Sequence, residues 1–211
     1  MSEIKVNKIS PATSTDITLG DSGDTFTVPS GATIVNSGTA TGFGGGKFKS
    51  VHYKQSTALW SQTCANTGTA LTDGTVAFNI IVTPDSSSSK FKIGASFGHM
   101  NITSGASMGG FFLVERAISG GATTDLVGDA DSSRKRGTFN VAKHSSGYEK
   151  GASMQIFDAP ATASAITYTL QLGTHSATNT CYFGYDNQHA SSTNAGYNNT
   201  SLSTFWVEEY V

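Results

Sequence analysis

The chain has 211 residues, of which 24 are glycine and only 13% are charged, and its formal net charge is −2. That balance offers no electrostatic footprint for nucleic acid, and no apolar run approaches the roughly 20 residues that cross a bilayer as a helix. Disorder is also disfavoured, because disordered chains combine high net charge with few aromatics, whereas this one carries 12 Phe, 7 Tyr and 2 Trp. Small polar, aromatic and β-branched residues together favour pleated surfaces and tight turns over helices.

In chain order, the first segment, MSEIKVNKISP, has no apolar signal core and does not read as a secretory peptide. Ile4, Val6 and Ile9 nearly alternate ahead of Ser10-Pro11. They read as an anchor strand added to the edge of another protein, or equally as the first strand of a stalk. Short apolar triplets then recur at Ile17-Thr18-Leu19, Phe26-Thr27-Val28 and Thr33-Ile34-Val35. Turn signals separate them: Gly20 to Asp24, Pro29-Ser30-Gly31 and Asn36-Ser37-Gly38. Strands this short bury little apolar surface, and one small ribbon is marginal in water. The missing core must come from other copies, with Ile17, Leu19, Phe26, Val28 and Ile34 meeting on a threefold axis. A flexible tail with chance periodicity is the competing reading.

The glycine-rich stretch 42–46 reads as a hinge between this 1–41 anchor and stalk and a head at 47–211. It does not read as a phosphate loop: Gly42 lies too close to Gly46, and Phe48 follows Lys47 where Ser or Thr must hold magnesium. In the head, nine strands are predicted: Phe48 to Tyr53, Thr75 to Val82, Lys90 to Phe97, Gly109 to Arg116, Thr138 to Ala142, Ser153 to Phe157, Ile166 to Leu172, Asn179 to Tyr185 and Ser203 to Val211. Phe91, Ile93, Ala95 and Phe97 share one face, and Ile166, Tyr168, Leu170 and Leu172 share another. No segment sustains a 3.6-residue period. The expected fold class is all-β, a short trimeric β-stalk followed by an antiparallel β-sandwich or jelly-roll head.

The stretch from Ile17 to Phe43, ITLGDSGDTFTVPSGATIVNSGTATGF, resembles the stalk module of fibre and appendage proteins of marine bacteriophages. The head is similar to the domain that follows that module, at the Asn79-to-Ile93 strand pair with its Thr83-to-Lys90 turn. Phe157-Asp158-Ala159-Pro160 leading into Ser164-to-Tyr168, and the terminal Trp206-Val207-Glu208-Glu209 strand, are similar too. The resemblance covers most of the chain and is looser from Ser104 to Ser146. It implies a surface component of a virion, assembled in the host bacterial cytoplasm, homotrimeric and attached to other virion proteins of capsid or tail.

Candidate chemistry is sparse. His52, His99, His144, His175 and His189 are scattered singly, without the converging ligands that a metal needs. No cofactor is expected, although a metal on the threefold axis would need only one His per chain. Glu208 and Glu209, as neighbours on a strand, point to opposite faces. Of the carboxylate pairs, only Asp129/Asp131 could approach the 5–10 Å separation of a glycosidase, and a solvated loop accounts for it better. No enzymatic activity is expected. Cys64 and Cys181 read as reduced, buried thiols. Arg134-Lys135-Arg136, the one basic cluster, sits in an exposed loop and suits an acidic glycan or a neighbouring subunit. Tyr185, Asn187 and Tyr197, in an aromatic and amide-rich stretch, are the other candidate receptor-facing residues, beside Arg134 and Arg136. Two functions remain: a short fibre or decoration protein anchored by its N-terminus, or a receptor-binding fibre tip recognising a host surface glycan or protein. The shortness of the stalk, at most ~150 Å even fully stretched, favours the first.

Overall fold

A computed structural model describes residues 21–25, 27–33, 35, 48–102, 109–130, 132, 134–141, 150–175, 178–184 and 201–211. The chain divides into two compact units, Met1–Phe43 and Gly44–Val211. In the first unit, two of the predicted turn signals form turns. Asp24 N–H donates to Asp21 O at 3.0 Å and Ala32 N–H to Pro29 O at 3.1 Å. The third residue of each turn is a glycine at positive φ, Gly23 at 98° and Gly31 at 85°. This is type II geometry, which asks for glycine at that position. The residues described between the turns belong to no strand, and every described residue of this unit is exposed, Val28 included. Among the described residues, one chain therefore gives these segments neither a ladder partner nor a core. Ile4, Val6, Ile9, Ile17, Leu19, Phe26 and Ile34 lie outside the described residues.

The second unit is all-β, with twelve strands among the described residues. They are β1 (Phe48–Ser56), β2 (Trp60–Cys64), β3 (Thr69–Ala70), β4 (Asn79–Val82), β5 (Lys90–Ile102) and β6 (Gly110–Ile118). Then come β7 (Thr123–Asp125), β8 (Phe139–Val141), β9 (Lys150–Asp158), β10 (Ile166–Thr174), β11 (Asn179–Phe183) and β12 (Ser203–Tyr210). The first sheet runs β1-β12-β5-β11-β2 with β9 also on β5; the second runs β3-β10-β6-β7, with β4 on β10 and β8 on β6. All pairings are antiparallel, and the two sheets stack as a jelly-roll-like sandwich. Each of the nine predicted strands is present in whole or in part. Thr75–Val82 is shortened, because Asp73 gathers the N–H groups of Thr75 and Val76 into a turn. The added strands β3 and β7 are too short to read from alternation. In β2, polar Gln62 occupies the middle inward position between Trp60 and Cys64 and bonds Ala70 O and Thr72 N–H.

The two alternating faces meet as expected: Phe91, Ile93, Ala95 and Phe97 of β5 and Ile166, Tyr168, Leu170 and Leu172 of β10 are all buried. A run of aromatic rings crosses the sandwich. Phe97 stacks on Phe112 of the opposite sheet at 5.1 Å, lies 5.3 Å from Phe183 and 5.9 Å from Phe78, and Trp60 stacks on Phe183 at 3.9 Å.

Three ladder positions are filled by strands that break and resume. Along β10, β3 hands over to β4 through Leu71 N–H to Leu170 O and Leu170 N–H to Phe78 O, with residues 72–77 turned out. Along β5, Gly184 N–H bonds His99 O and Gly98 N–H bonds Leu202 O, so β11 and β12 follow one another along the same edge of β5. Along β6, β7 passes to β8 across residues 127–137. There the Thr138 hydroxyl accepts from Val114 N–H and donates to Leu126 O, filling the gap in the ladder.

Truncating Phe97 removes contacts to both sheets and to three rings. Phe97→Ala should cost about 3–5 kcal/mol of unfolding free energy, whereas Phe157→Ser, at a side chain 73% exposed, should stay within about 0.5 kcal/mol. Urea denaturation followed by tryptophan fluorescence measures both.

Candidate functional site

The outer face of the second sheet carries an open groove of about 420 Å³. Phe111 and Leu113 of β6 form its floor; their neighbours Phe112 and Val114 point the other way, into the sandwich core. Both floor side chains are nearly buried, because glycines let them sink. A Cβ on Gly173 would fall 2.4 Å from the Phe111 ring, and one on Gly68 would fall 2.7 Å from Leu113. Asn66 and Thr67 of the β2–β3 turn form one wall, and Thr124, Asp125 and Val127 of β7 and its extension form the other. Lys135 and Arg136 complete the lining. They belong to the 127–137 excursion, which Arg136 helps to close by donating from Nε to Gly128 O at 2.7 Å.

Of the predicted receptor-facing residues, Arg134 and Arg136 are exposed, and Arg136 lines this groove. Tyr185, Asn187 and Tyr197 lie outside the described residues, as do Asp131, His144 and His189. The preceding strand alternates as expected: Cys181 and Phe183 are buried and Tyr182 is half-buried. Asp129 is exposed. His52 is exposed on β1, His99 lies on β5, and the His175 ring lies 5.8 Å from Phe111.

Glu208 and Glu209 do point apart. Glu209 is buried and accepts from Asp85 N–H at 2.6 Å, fastening the β4–β5 turn to β12. Glu208 lies on the outer face, 3.1 Å from Lys92 and 2.5 Å from the Tyr210 hydroxyl. A third carboxylate, which no local sequence pattern singles out, ties the two sheets together. Asp158 of β9 accepts from Arg116 Nη1 at 2.6 Å and from the Tyr168 hydroxyl at 2.8 Å, both in the opposite sheet, and its side chain is only 8% exposed. Burial, reinforced by the Asp158 charge and hydrogen bond, pushes the Tyr168 hydroxyl far up, so it stays a donor. Arg116 and Tyr168 are direct cross-strand partners on β6 and β10.

The outer face of the first sheet is unusually apolar where β1 forms its edge. Tyr53 sits opposite Trp206, Val51 opposite Glu208 and Phe48 opposite Tyr210, and the indole of Trp206 lies over Gly94 of β5, where a Cβ would come within 2.1 Å. Phe48, Val51, Tyr53 and, across Lys92 on β9, Phe157 are all exposed. Cys64 and Cys181 are free, fully buried and adjacent on the paired strands β2 and β11. The hydrogen bond to the Cys64 thiol, then burial, pushes the Cys181 thiol far up.

With these features in place, the described head defines an antiparallel two-sheet sandwich with a polar groove on one outer face and an apolar edge on the other. No protein-family model and no curated protein matches the sequence. Among solved structures, the chain is weakly similar to one described as the structure of infectious bursal disease virus Gx strain, with 9% identity and a TM-score of 0.32. The match takes in 77% of this chain, which spans only 42% of that one.

The local electrostatics set how the head responds to acid and to alkylation. At Asp73, burial raises the carboxyl, but the Ser56 hydroxyl and the N–H groups of Val76 and Thr75 outweigh it, and the pKa falls. At Glu208, the Tyr210 hydroxyl, helped by Lys92 and Trp206, overcomes burial in the same direction. A carboxyl with a depressed folded pKa stabilises fully above its unfolded value and loses that contribution as pH falls through the folded one. The two should therefore contribute a constant stability near neutrality and lose it below about pH 4; Asp73→Asn should flatten that acid limb in thermal melts. Both thiols should resist iodoacetamide in the native protein at pH 8 and react fully in guanidinium, as mass spectrometry would read.

Proposed function

We propose that this is a non-enzymatic structural protein of a bacteriophage particle, a short surface fibre or decoration protein. It is anchored by its N-terminus to other virion proteins and projects its β head from a homotrimeric stalk. The observation that carries this reading is the apolar edge of the head. Among the described residues β1 pairs on one side only, with β12, and Phe48, Val51 and Tyr53 stand exposed along it. Contiguous exposed apolar surface on a soluble protein marks a place where another chain packs, and an edge strand with free backbone groups invites the same. Asp158, Glu208, Glu209 and Asp73 meanwhile fasten strands and turns, which suits a scaffold. The resemblance of residues 17–43 to phage stalk modules supplies the setting.

A cryo-EM map of the whole particle tests this. Threefold density that fits the sandwich, at the capsid surface or on a short tail appendage, is the expected result. Absence of the protein from purified particles would overturn the reading. A variant beginning at Lys47 should lose particle attachment while keeping its melting transition; retained attachment would show that the anchor lies elsewhere.

A further inference from the structure

We propose that the groove over β6 is a binding site for an acidic saccharide, with Arg136 and Lys135 receiving the carboxylate. The inference rests on the head having a recognition role and does not depend on the trimer or on the anchor.

The lining selects the ligand chemistry. Two cations stand in a groove with one carboxylate, Asp125, on a chain whose net charge is −2. The lining itself is therefore one charge positive, with Glu115 standing beyond it opposite Asp125, and its cationic end suits an anion. Arg136 commits its Nε to Gly128 O, which fixes the guanidinium in place and leaves its terminal N–H groups to form charge-assisted bonds with a carboxylate. Lys135 is exposed and has no ion-pair partner among the described residues. Asn66, Thr67 and Thr124 add neutral amide and hydroxyl groups on both walls, the partners that sugar hydroxyls need. Half-buried Val127, above the buried Phe111 and Leu113, gives a small apolar contact for a sugar ring's C–H face.

The same lining disfavours other anions. Asp125 within the groove would repel a densely charged phosphate backbone. An acidic peptide would add to a strand edge and run along it, whereas this groove crosses the sheet from the β2–β3 turn to β7. The 127–137 excursion also has an evident purpose on this reading: it places two cations beside a floor that β6 and the glycines hold rigidly.

The test uses the full chain and two pairs of soluble probes that differ in carboxylate charge: trigalacturonate against its methyl ester, and sialyllactose against lactose, with hexa-aspartate as a peptide control. Titration followed by NMR or calorimetry should show an acidic sugar bound and its neutral partner not. Lys135→Ala and Arg136→Ala should each weaken binding about tenfold, the effect of losing one charge-assisted hydrogen bond, with an unchanged melting temperature for Lys135→Ala. Arg136→Lys, which keeps the charge if the loop loosens, should recover part of the loss. Equal binding of acidic and neutral sugars, no binding of either acid, tighter binding of hexa-aspartate, or affinity indifferent to Lys135→Ala would each overturn the proposal. None of these results depends on oligomeric state, so failure here leaves the particle reading standing.

Discussion

The stacking of Phe97 on Phe112 across the sandwich is the contact on which the rest of the head depends. β5 is the spine of the first sheet, paired on one edge by β12 and β11 and on the other by β9. β6 is half of the central pair of the second. Phe183 of β11 and Phe78 ahead of β4 meet Phe97, with Trp60 of β2 stacked behind them, so this cluster fixes sheet spacing as well as burying apolar area. At the far end the Asp158–Arg116–Tyr168 tie does the corresponding job with charge. It holds β9, which among the described residues pairs only with β5, to the opposite sheet, and removing Asp158 would strip Arg116 Nη1 and the Tyr168 hydroxyl of their shared acceptor.

With the core secured this way, the outer ladder positions tolerate interruptions. Residues 72–77 leave a strand line and rejoin it on β10, and β7 and β8 likewise succeed one another on β6, so changes between them would leave the register of β10 and β6 intact. Recognition surfaces are commonly built on such loops over a rigid scaffold. The basic cluster Arg134-Lys135-Arg136 falls between β7 and β8, on the second of them.

Much of this was legible in the sequence, because strict alternation carries it. The inward faces of β5 and β10 and the opposed directions of Glu208 and Glu209 come from a period of two residues. The turns at Gly23 and Gly31 come from glycine's freedom at positive φ. Illegible were features that depend on distant parts meeting. β2 hid behind the polar Gln62, whose partners lie in β3 and just past it, at Ala70 and Thr72. Arg116 looked like a strand end until Asp158 was brought to it from 42 residues away. The groove joins residues 66, 111 and 136, which no local pattern connects, although the basic cluster in it was visible. The apolar edge was hidden for a different reason: Val51 and Tyr53 alternate like any half-buried strand, and only the topology shows that their face is open.

The two units, described separately, have a shortage in common. In the first, every described residue is exposed and none belongs to a strand. In the second, Phe48, Val51 and Tyr53 line an edge with no further strand beside it among the described residues. Further copies of the same chain, as proposed above, would remedy each. Light scattering of the intact chain in solution tests this most directly. A mass three times the 21.9 kDa of one chain, unchanged on dilution, is the predicted result, and a 21.9 kDa particle at every concentration would contradict it.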